Sequence, residues 1–363
     1  MKIGVVGLGY WGPNLVRNFF AAEGVQGVVC CDVQESRLQK IKKSFPHAEV
    51  TNSFESLLHR EEVGAIAIAT PVSTHHPLGM RALRAGKHVL LEKPMTTKVE
   101  HARELLECAA ERGLTLMVDH TFVYTGAVRK IKEMIQQGEI GDILYFDSVR
   151  VNLGLFQHDT NVIWDLAPHD ISIMDYLIDR EPVSVSAVGV SHYNCLEDVA
   201  YLTVHFADKL IAHFHVNWLS PVKVRRILLG GSKHMVVYDD MEPSEKVKVF
   251  NRGVEITEKE SVYQTLVQYR MGDMYAPKID QTEALNRLVA EFVDCIRTGR
   301  KPLTDGKAGY NVVRILEAAD KSLRAGGRAV QLSAHSRKEF SWKTINEFQQ
   351  MSDSAKMSEY SRL

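Results

Sequence analysis

Cysteine is scarce in this chain, with five among 363 residues. Only Cys30 and Cys31 are adjacent, while Cys108, Cys195 and Cys295 stand alone, so no C-x-x-C pair signals a zinc site or a redox dithiol. Buried, reduced thiols are the expectation, and no metal is called for. An excess of one charge is also missing: 44 Lys and Arg face 45 Asp and Glu, a formal net charge of −1. Without a basic run, nucleic acid held through its phosphates is excluded as a partner. The longest apolar stretches, Val63–Thr70 and Val89–Leu91, fall far short of the ~18 residues that a membrane span requires. The opening segment MKIGVVGLGYWG has neither the charged nor the long apolar region of a secretory signal, so a cytoplasmic location is expected. What remains is ordinary for a globular enzyme, 45% hydrophobic and 25% charged, with length for roughly two domains.

Two regions differ in pattern. From Met1 to about residue 121, the runs Lys2–Gly7, Val25–Asp32, Ala65–Thr70, His88–Leu91 and Thr115–Val118 are apolar without polar alternation. Such runs suit parallel strands buried on both faces. Helical patterns at Asn14–Ala22, Ser36–Ser44, Pro77–Ala85 and Lys98–Arg112 separate them, which predicts a doubly wound α/β domain over 1–121. From 122 to 333 the strands alternate: Gly141–Val151, Val183–Val190, Val199–Phe206, Leu210–Trp218, Arg225–Leu229, Met235–Tyr238 and Lys246–Phe250. With helices at Ala127–Gln137, about Leu166–Leu177, Thr282–Thr298 and Ala308–Ala325, they predict an α+β domain with one large, mostly antiparallel sheet. Residues 334–363, rich in serine, read as a tail.

Gly7-Leu8-Gly9-Tyr10-Trp11-Gly12 follows the first strand directly and opens the first helix, the context in which G-x-G-x-x-G signals a dinucleotide site. Gly7 permits the tight turn, Gly9 a close approach of the pyrophosphate, and Gly12 tight helix–strand packing. Pro13 fits the first helical turn, and the helix N-terminus favours phosphate. Asp32, 20 residues after Gly12, suits the ribose hydroxyls and disfavours a 2′-phosphate, so NAD is expected in preference to NADP. Arg37 nearby is the one residue that argues for the phosphate.

The fifth strand runs into Glu92-Lys93-Pro94, and ligands of such sheets lie beyond the carboxyl ends of the strands. Lys93 is therefore placed at the nicotinamide. Asp165 and His169 are four residues apart and share one helix face. With Pro168 in a first turn, Asp165 can be an N-cap and His169 a buried structural histidine, or both can serve catalysis. His213 and His215 share a strand face, read as polar sheet-face residues since no third metal ligand accompanies them.

Taken together, Gly7–Gly12, Thr70-Pro71-x-x-x-His75, Ala85-Gly86-Lys87-His88-Val89, Glu92-Lys93-Pro94 and Asp165-x-x-x-His169 resemble the Gfo/Idh/MocA oxidoreductase family over residues 1–330. The resemblance implies NAD(P)-dependent oxidation or reduction of a sugar, cyclitol or related alcohol. It carries the family's lysine to Lys93, its Asp/His pair to Asp165 and His169, and cofactor contacts to Thr70, Pro71, His75 and Glu92. It also implies a homo-oligomer, dimer or tetramer, formed through the second sheet. Members often carry glycines before the aspartate and Gly-Ile within the pair, where this chain has Ile163-Trp164 and Ala167-Pro168. Asn217–Arg225, Phe292–Ile296 and Pro302–Gly306 are similar to members that make polysaccharide building blocks, which tilts the expected substrate toward a nucleotide-linked sugar; an inositol or free sugar is the alternative. A non-catalytic NAD-binding regulator on the same scaffold is the reading from another class.

In such an enzyme His169 suits the base that takes the hydroxyl proton, and Lys93 the group that stabilises the developing oxyanion, with Asp165 orienting the imidazole or holding a neighbouring hydroxyl. Lys93 as base is the rival assignment. Tyr124, Asn152, Trp164 and Arg225 are candidate substrate contacts, and the loop Asn152–Asn161 a candidate pocket mouth.

Overall fold

The computed structural model describes residues 1–154, 160–261 and 264–332, with side chains outside 254–268. The first sheet comprises β1 (Lys2–Val6), β2 (Gly27–Cys31), β3 (Glu49–Thr51), β4 (Val63–Ile68), β5 (His88–Glu92) and β6 (Leu116–Asp119). Helices α1 (Gly12–Ala21), α2 (Glu35–Ser44), α3 (Phe54–Leu58), α4 (His75–Arg84) and α5 (Val99–Glu111) connect them. The order is β3-β2-β1-β4-β5-β6, all parallel. Nearly every residue of β1, β2 and β4 is buried, as unalternated apolar runs require. The order reverses between β1 and β4, where a crevice opens at the strands' carboxyl ends. The sequence does not announce β3, a three-residue edge strand too short for a period.

Beyond α6 (Gly126–Gln136) come β7 (Ile143–Leu153), α7 (Val162–Leu177), β8 (Pro182–Val190), β9 (Val199–Phe206) and β10 (Ile211–Asn217). They are followed by β11 (Leu219–Gly231), β12 (Met235–Asp239), β13 (Val247–Ser261), β14 (Gln264–Tyr275), α8 (Ala284–Thr298), α9 (Gly306–Arg324) and β15 (Val330–Gln331). The nine-stranded sheet runs β14-β13-β12-β11-β7-β10-β9-β8-β15 and is antiparallel except where β7 and β10 pair in parallel. Its alternation sends Ala200, Leu202, Val204, Ala212, Phe214 and Val216 into the core. His213 and His215 face the other way, with Tyr201 stacked 4.5 Å from His215.

Two helices from late in the chain return to the first sheet. Phe292 and Leu288 of α8 join Leu15 and Phe19 of α1 in one core, with the Phe19 and Phe292 rings 6.4 Å apart, edge to face. Arg17 donates to both oxygens of Glu283 at 2.9 and 2.6 Å, an exposed pair worth at most ~1 kcal/mol. Burial of aromatics such as Phe292 contributes more, since truncating one to alanine costs ~3–5 kcal/mol. The Val118 N–H donates to the Thr304 carbonyl at 2.8 Å, fixing the entry to α9 against β6. Both helices, which chain order places within 122–333, thus pack against the first layer, while α9 also packs on β8 and α7.

No described helix is long and apolar enough to cross a membrane. The tail 334–363 and residues 155–159 of the candidate pocket-mouth loop lie outside the described residues.

Candidate active site

On the nucleotide side the backbone sets the shape. Gly7 has φ +90, and a Cβ there would stand 2.6 Å from the Ala69 carbonyl oxygen. At Gly12 a Cβ would stand 2.0 Å from the Gly7 carbonyl oxygen, whereas at Gly9 it would meet nothing within 4 Å. The open space at Gly9 faces the start of α1, whose N-cap, Trp11, supplies no side-chain cap. That combination fits the pyrophosphate of NAD.

Asp32 follows β2, is buried, and accepts the Leu8 N–H at 2.7 Å and the Gln34 N–H at 2.9 Å, with Arg37 at 3.3 Å. Tyr10 is 93% exposed, while the Trp11 indole N–H turns inward onto Asp119 at 2.7 Å. Thr70 and Pro71 follow β4 at the crevice, and the Thr70 hydroxyl meets that of Thr74 at 2.6 Å. His75 is buried beneath them, its ring nitrogens 2.9 Å from the Thr70 carbonyl and 3.1 Å from that of Pro94. It ties the two cofactor-side loops together rather than presenting its ring to the crevice. Burial holds its pKa below the ordinary histidine value.

On the reaction side, β5 delivers Lys93 to α7. The Lys93 ammonium donates to the Asp165 carbonyl at 2.9 Å and lies 3.7 Å from Asp165 Oδ1, with the two side chains only 16% and 24% exposed. Asp165 is not the helix cap. Asn161 is, accepting the Trp164 N–H at 3.2 Å and held in turn by Glu197 at 2.9 Å, so α7 starts earlier than its pattern suggests. Pro168 consequently lies inside the helix. The second Asp165 oxygen accepts the indole N–H of Trp218 at 3.0 Å.

His169 packs edge-on against Phe122 at 4.9 Å, and its Nδ1 is buried without a hydrogen-bond partner among the described residues. Burial first, then the charges of Lys93, Arg150 and Arg225, hold its pKa well below the ordinary value, so the ring is neutral. The guanidinium groups of Arg150 and Arg225 stand 4.4 and 5.5 Å from the Phe122 ring. Arg150 is buried and doubly bonded to Asp170 at 2.9 and 2.7 Å, whereas Arg225 has a longer, 3.3 Å contact with Asp240. Glu92 is pushed up to about 8, by burial and then by Asp119, its partner across the β5–β6 pairing.

The candidate substrate contacts separate. Arg225 is brought to the His169 side through Phe122. Tyr124 is fully buried with its hydroxyl 3.3 Å from that of Thr304, packed where the chain folds back onto α8. Trp164 turns its indole N–H onto Asp320 at 2.9 Å, and Asn152 lies near the end of β7. Sequence reasoning missed Trp218, Phe122 and Arg150 as parts of the site. The one available signal was the apolar tryptophan closing a strand beside polar neighbours.

Residues 1–120 match the family described as an oxidoreductase family with an NAD-binding Rossmann fold, and residues 128–237 match the GFO/IDH/MocA C-terminal domain. The uncharacterized oxidoreductase YdgJ of Escherichia coli (strain K12) is 31% identical over 259 residues, 68% of this chain and 73% of that protein. UDP-N-acetylglucosamine 3-dehydrogenase of Acidithiobacillus ferrooxidans is 27% identical over 325 residues, 86% of this chain and 94% of that one. Its solved structure matches with a TM-score of 0.75 at 25% identity, covering 90% of this chain and 98% of that chain. The scyllo-inositol 2-dehydrogenase (NADP(+)) IolW of Bacillus subtilis (strain 168) is 25% identical over 349 residues, 89% and 93% of the two chains. A glycine loop shaped for a dinucleotide and both family matches lead to one conclusion: this chain belongs to the Gfo/Idh/MocA family of NAD-binding oxidoreductases.

Proposed function

We propose that this enzyme moves a hydride between NAD and a carbinol carbon of a nucleotide-linked sugar, with Lys93, Asp165 and His169 as its catalytic residues. The observation that carries the reading is the meeting of the Lys93 ammonium with Asp165 beside a neutral, buried imidazole, at the carboxyl end of β5. When bound, NAD supplies the acceptor for the hydride.

The neutral His169 takes the hydroxyl proton as the hydride departs, a role worth ~10²–10⁴ in rate. Lys93 donates to the oxygen as negative charge develops on it. Asp165, pinned by Trp218 and adjacent to Lys93, holds that ammonium in place, and a free lone pair serves a neighbouring hydroxyl. Gly7, Gly9, Tyr10, Trp11 and Gly12 hold the cofactor's pyrophosphate, Asp32 its ribose, and Thr70, Pro71 and Glu92 line the nicotinamide side. Asp32 already spends bonds on Leu8 and Gln34, which keeps its carboxylate aimed for ribose hydroxyls rather than a 2′-phosphate.

Arg225 supports the nucleotide-linked class. Its guanidinium is loosely held, faces the site beside Arg150, and suits a diphosphate. Val188, Tyr201 and Ile211, exposed on the outer face of the second sheet, support self-association through that face, which light scattering measures. The substrate test is NADH formation with nucleotide sugars, free sugars and inositols. Turnover of a nucleotide sugar is expected; turnover of an inositol alone would replace the proposed class.

A further inference from the structure

Beside α7 lies a cavity of about 370 Å³ that Lys93, Asp165 and His169 do not line, although its wall residue His120 lies near enough to feel the Lys93 charge. His120 at the end of β6, Lys132 of α6, Asp175 of α7, and Lys307 and Asn311 of α9 line it. Its volume is that of a small-molecule site.

Hydrogen bonding inside it is incomplete. His120 is 1% exposed, and neither ring nitrogen has a partner among the described residues. Asn311 donates its amide to Asp175 at 3.1 and 3.3 Å, while its buried Oδ1 accepts nothing. Buried polar atoms of this kind are costly unless something supplies the missing bonds.

Two ammonium groups also line it. Lys132 reaches the Leu177 carbonyl at 3.4 Å and the Tyr176 ring at 5.3 Å, in the field of Asp179 and Asp175. Lys307 stands 5.0 Å over the Tyr310 ring. Neither ammonium has an ion-pair partner among the described residues, and burial lowers the pKa of both. Asp305, also on the wall, is committed to capping α9 and to Lys301 at 2.6 Å. Asp175, which accepts the Asn311 amide, lies in the field of Lys307 and Glu181, with burial pushing it up to about 6.

We propose that this cavity is a second small-molecule site, for a monosaccharide-sized polyhydroxylated carboxylate. Its carboxylate sits between Lys132 and Lys307, and its hydroxyls meet His120 and Asn311. A hydroxyl group both donates and accepts, which is what an imidazole with one N–H and one lone pair, beside an amide oxygen, requires. The site stands whichever alcohol the reaction site takes.

Calorimetric titration of the full-length, NAD-loaded protein with D-gluconate and with D-glucose tests it. Gluconate is expected to bind at least about tenfold more tightly than glucose, the margin of a charge-assisted contact. Lys132→Met and Lys307→Met each remove that margin, and His169→Ala preserves it. The proposal is overturned if neither sugar binds, if both bind equally, or if gluconate binding survives both lysine changes. Loss of binding in His169→Ala would place the gluconate in the reaction site instead and would equally overturn it.

Discussion

Between Gly7 and Gly12, six consecutive residues shape a ligand surface with their backbone, and side chains matter there mainly by being absent. Around Lys93 the opposite holds. There the end of β5, α7, the segment after β6, β7, the junction of β10 with β11, and β11 each contribute a side chain, and Lys93 and Asp165 meet across 72 residues of sequence. A surface made of backbone tolerates change at exposed side chains such as Tyr10 but not at its glycines. A surface made of converging side chains fails at any one of them, and its geometry depends on residues that touch no substrate. Trp218 on Asp165 is such a residue.

The largest expected effect separates the glycines from one another. Gly12→Ala places a methyl group against the Gly7 carbonyl, so both the melting temperature and NAD affinity should fall, the latter by about a hundredfold. Gly9→Ala projects into open space, so NAD affinity should fall while the melting temperature holds. Equal losses of stability in the two variants, measured by calorimetry, would erase the distinction between turn and cradle.

On the other side, Trp218→Phe removes one N–H from a carboxylate and leaves the packing nearly whole. A bond of that type is worth ~1.5–3 kcal/mol, so kcat should fall about tenfold or more with NAD affinity and melting temperature unchanged. A parallel fall in all three would make Trp218 a core residue only.

A pH-dependent effect concerns the floor between the two sides. With Glu92 pushed up to about 8 from an ordinary 4.5, the folded chain keeps a proton there that the unfolded chain releases. Folding therefore binds a proton in that window, and stability decreases as pH rises from about 4.5 to 8. Glu92→Gln removes the dependence. The wild type should lose stability relative to the variant with rising pH, by up to ~1.4 kcal/mol per unit, and the gap should level off above pH 8. Denaturant melts of both proteins across that range measure it.

The contrast also explains what the sequence made legible. The glycine loop, Asp32 and the parallel strands were readable because each depends on neighbours in the chain. Lys93 was placed by its strand end, and the spacing of Asp165 and His169 by helix geometry. The true start of α7 was hidden because Asn161 owes its capping position partly to Glu197, on a distant segment. Tyr124 read equally well as a ligand contact or as core, and its burial comes from the return of α8 and the Thr304 segment, which lie far off in the chain. Trp218 and the Arg150–Phe122–Arg225 stack arise from strand register in the second sheet, which local pattern does not encode.

The most direct test of this division measures NAD binding and NADH formation side by side in Lys93→Ala and His169→Ala. Turnover should fall by about a hundredfold or more in each while the NAD dissociation constant stays within about threefold of the wild type. Near-wild-type turnover in either variant, or collapse of NAD binding in both, would contradict it.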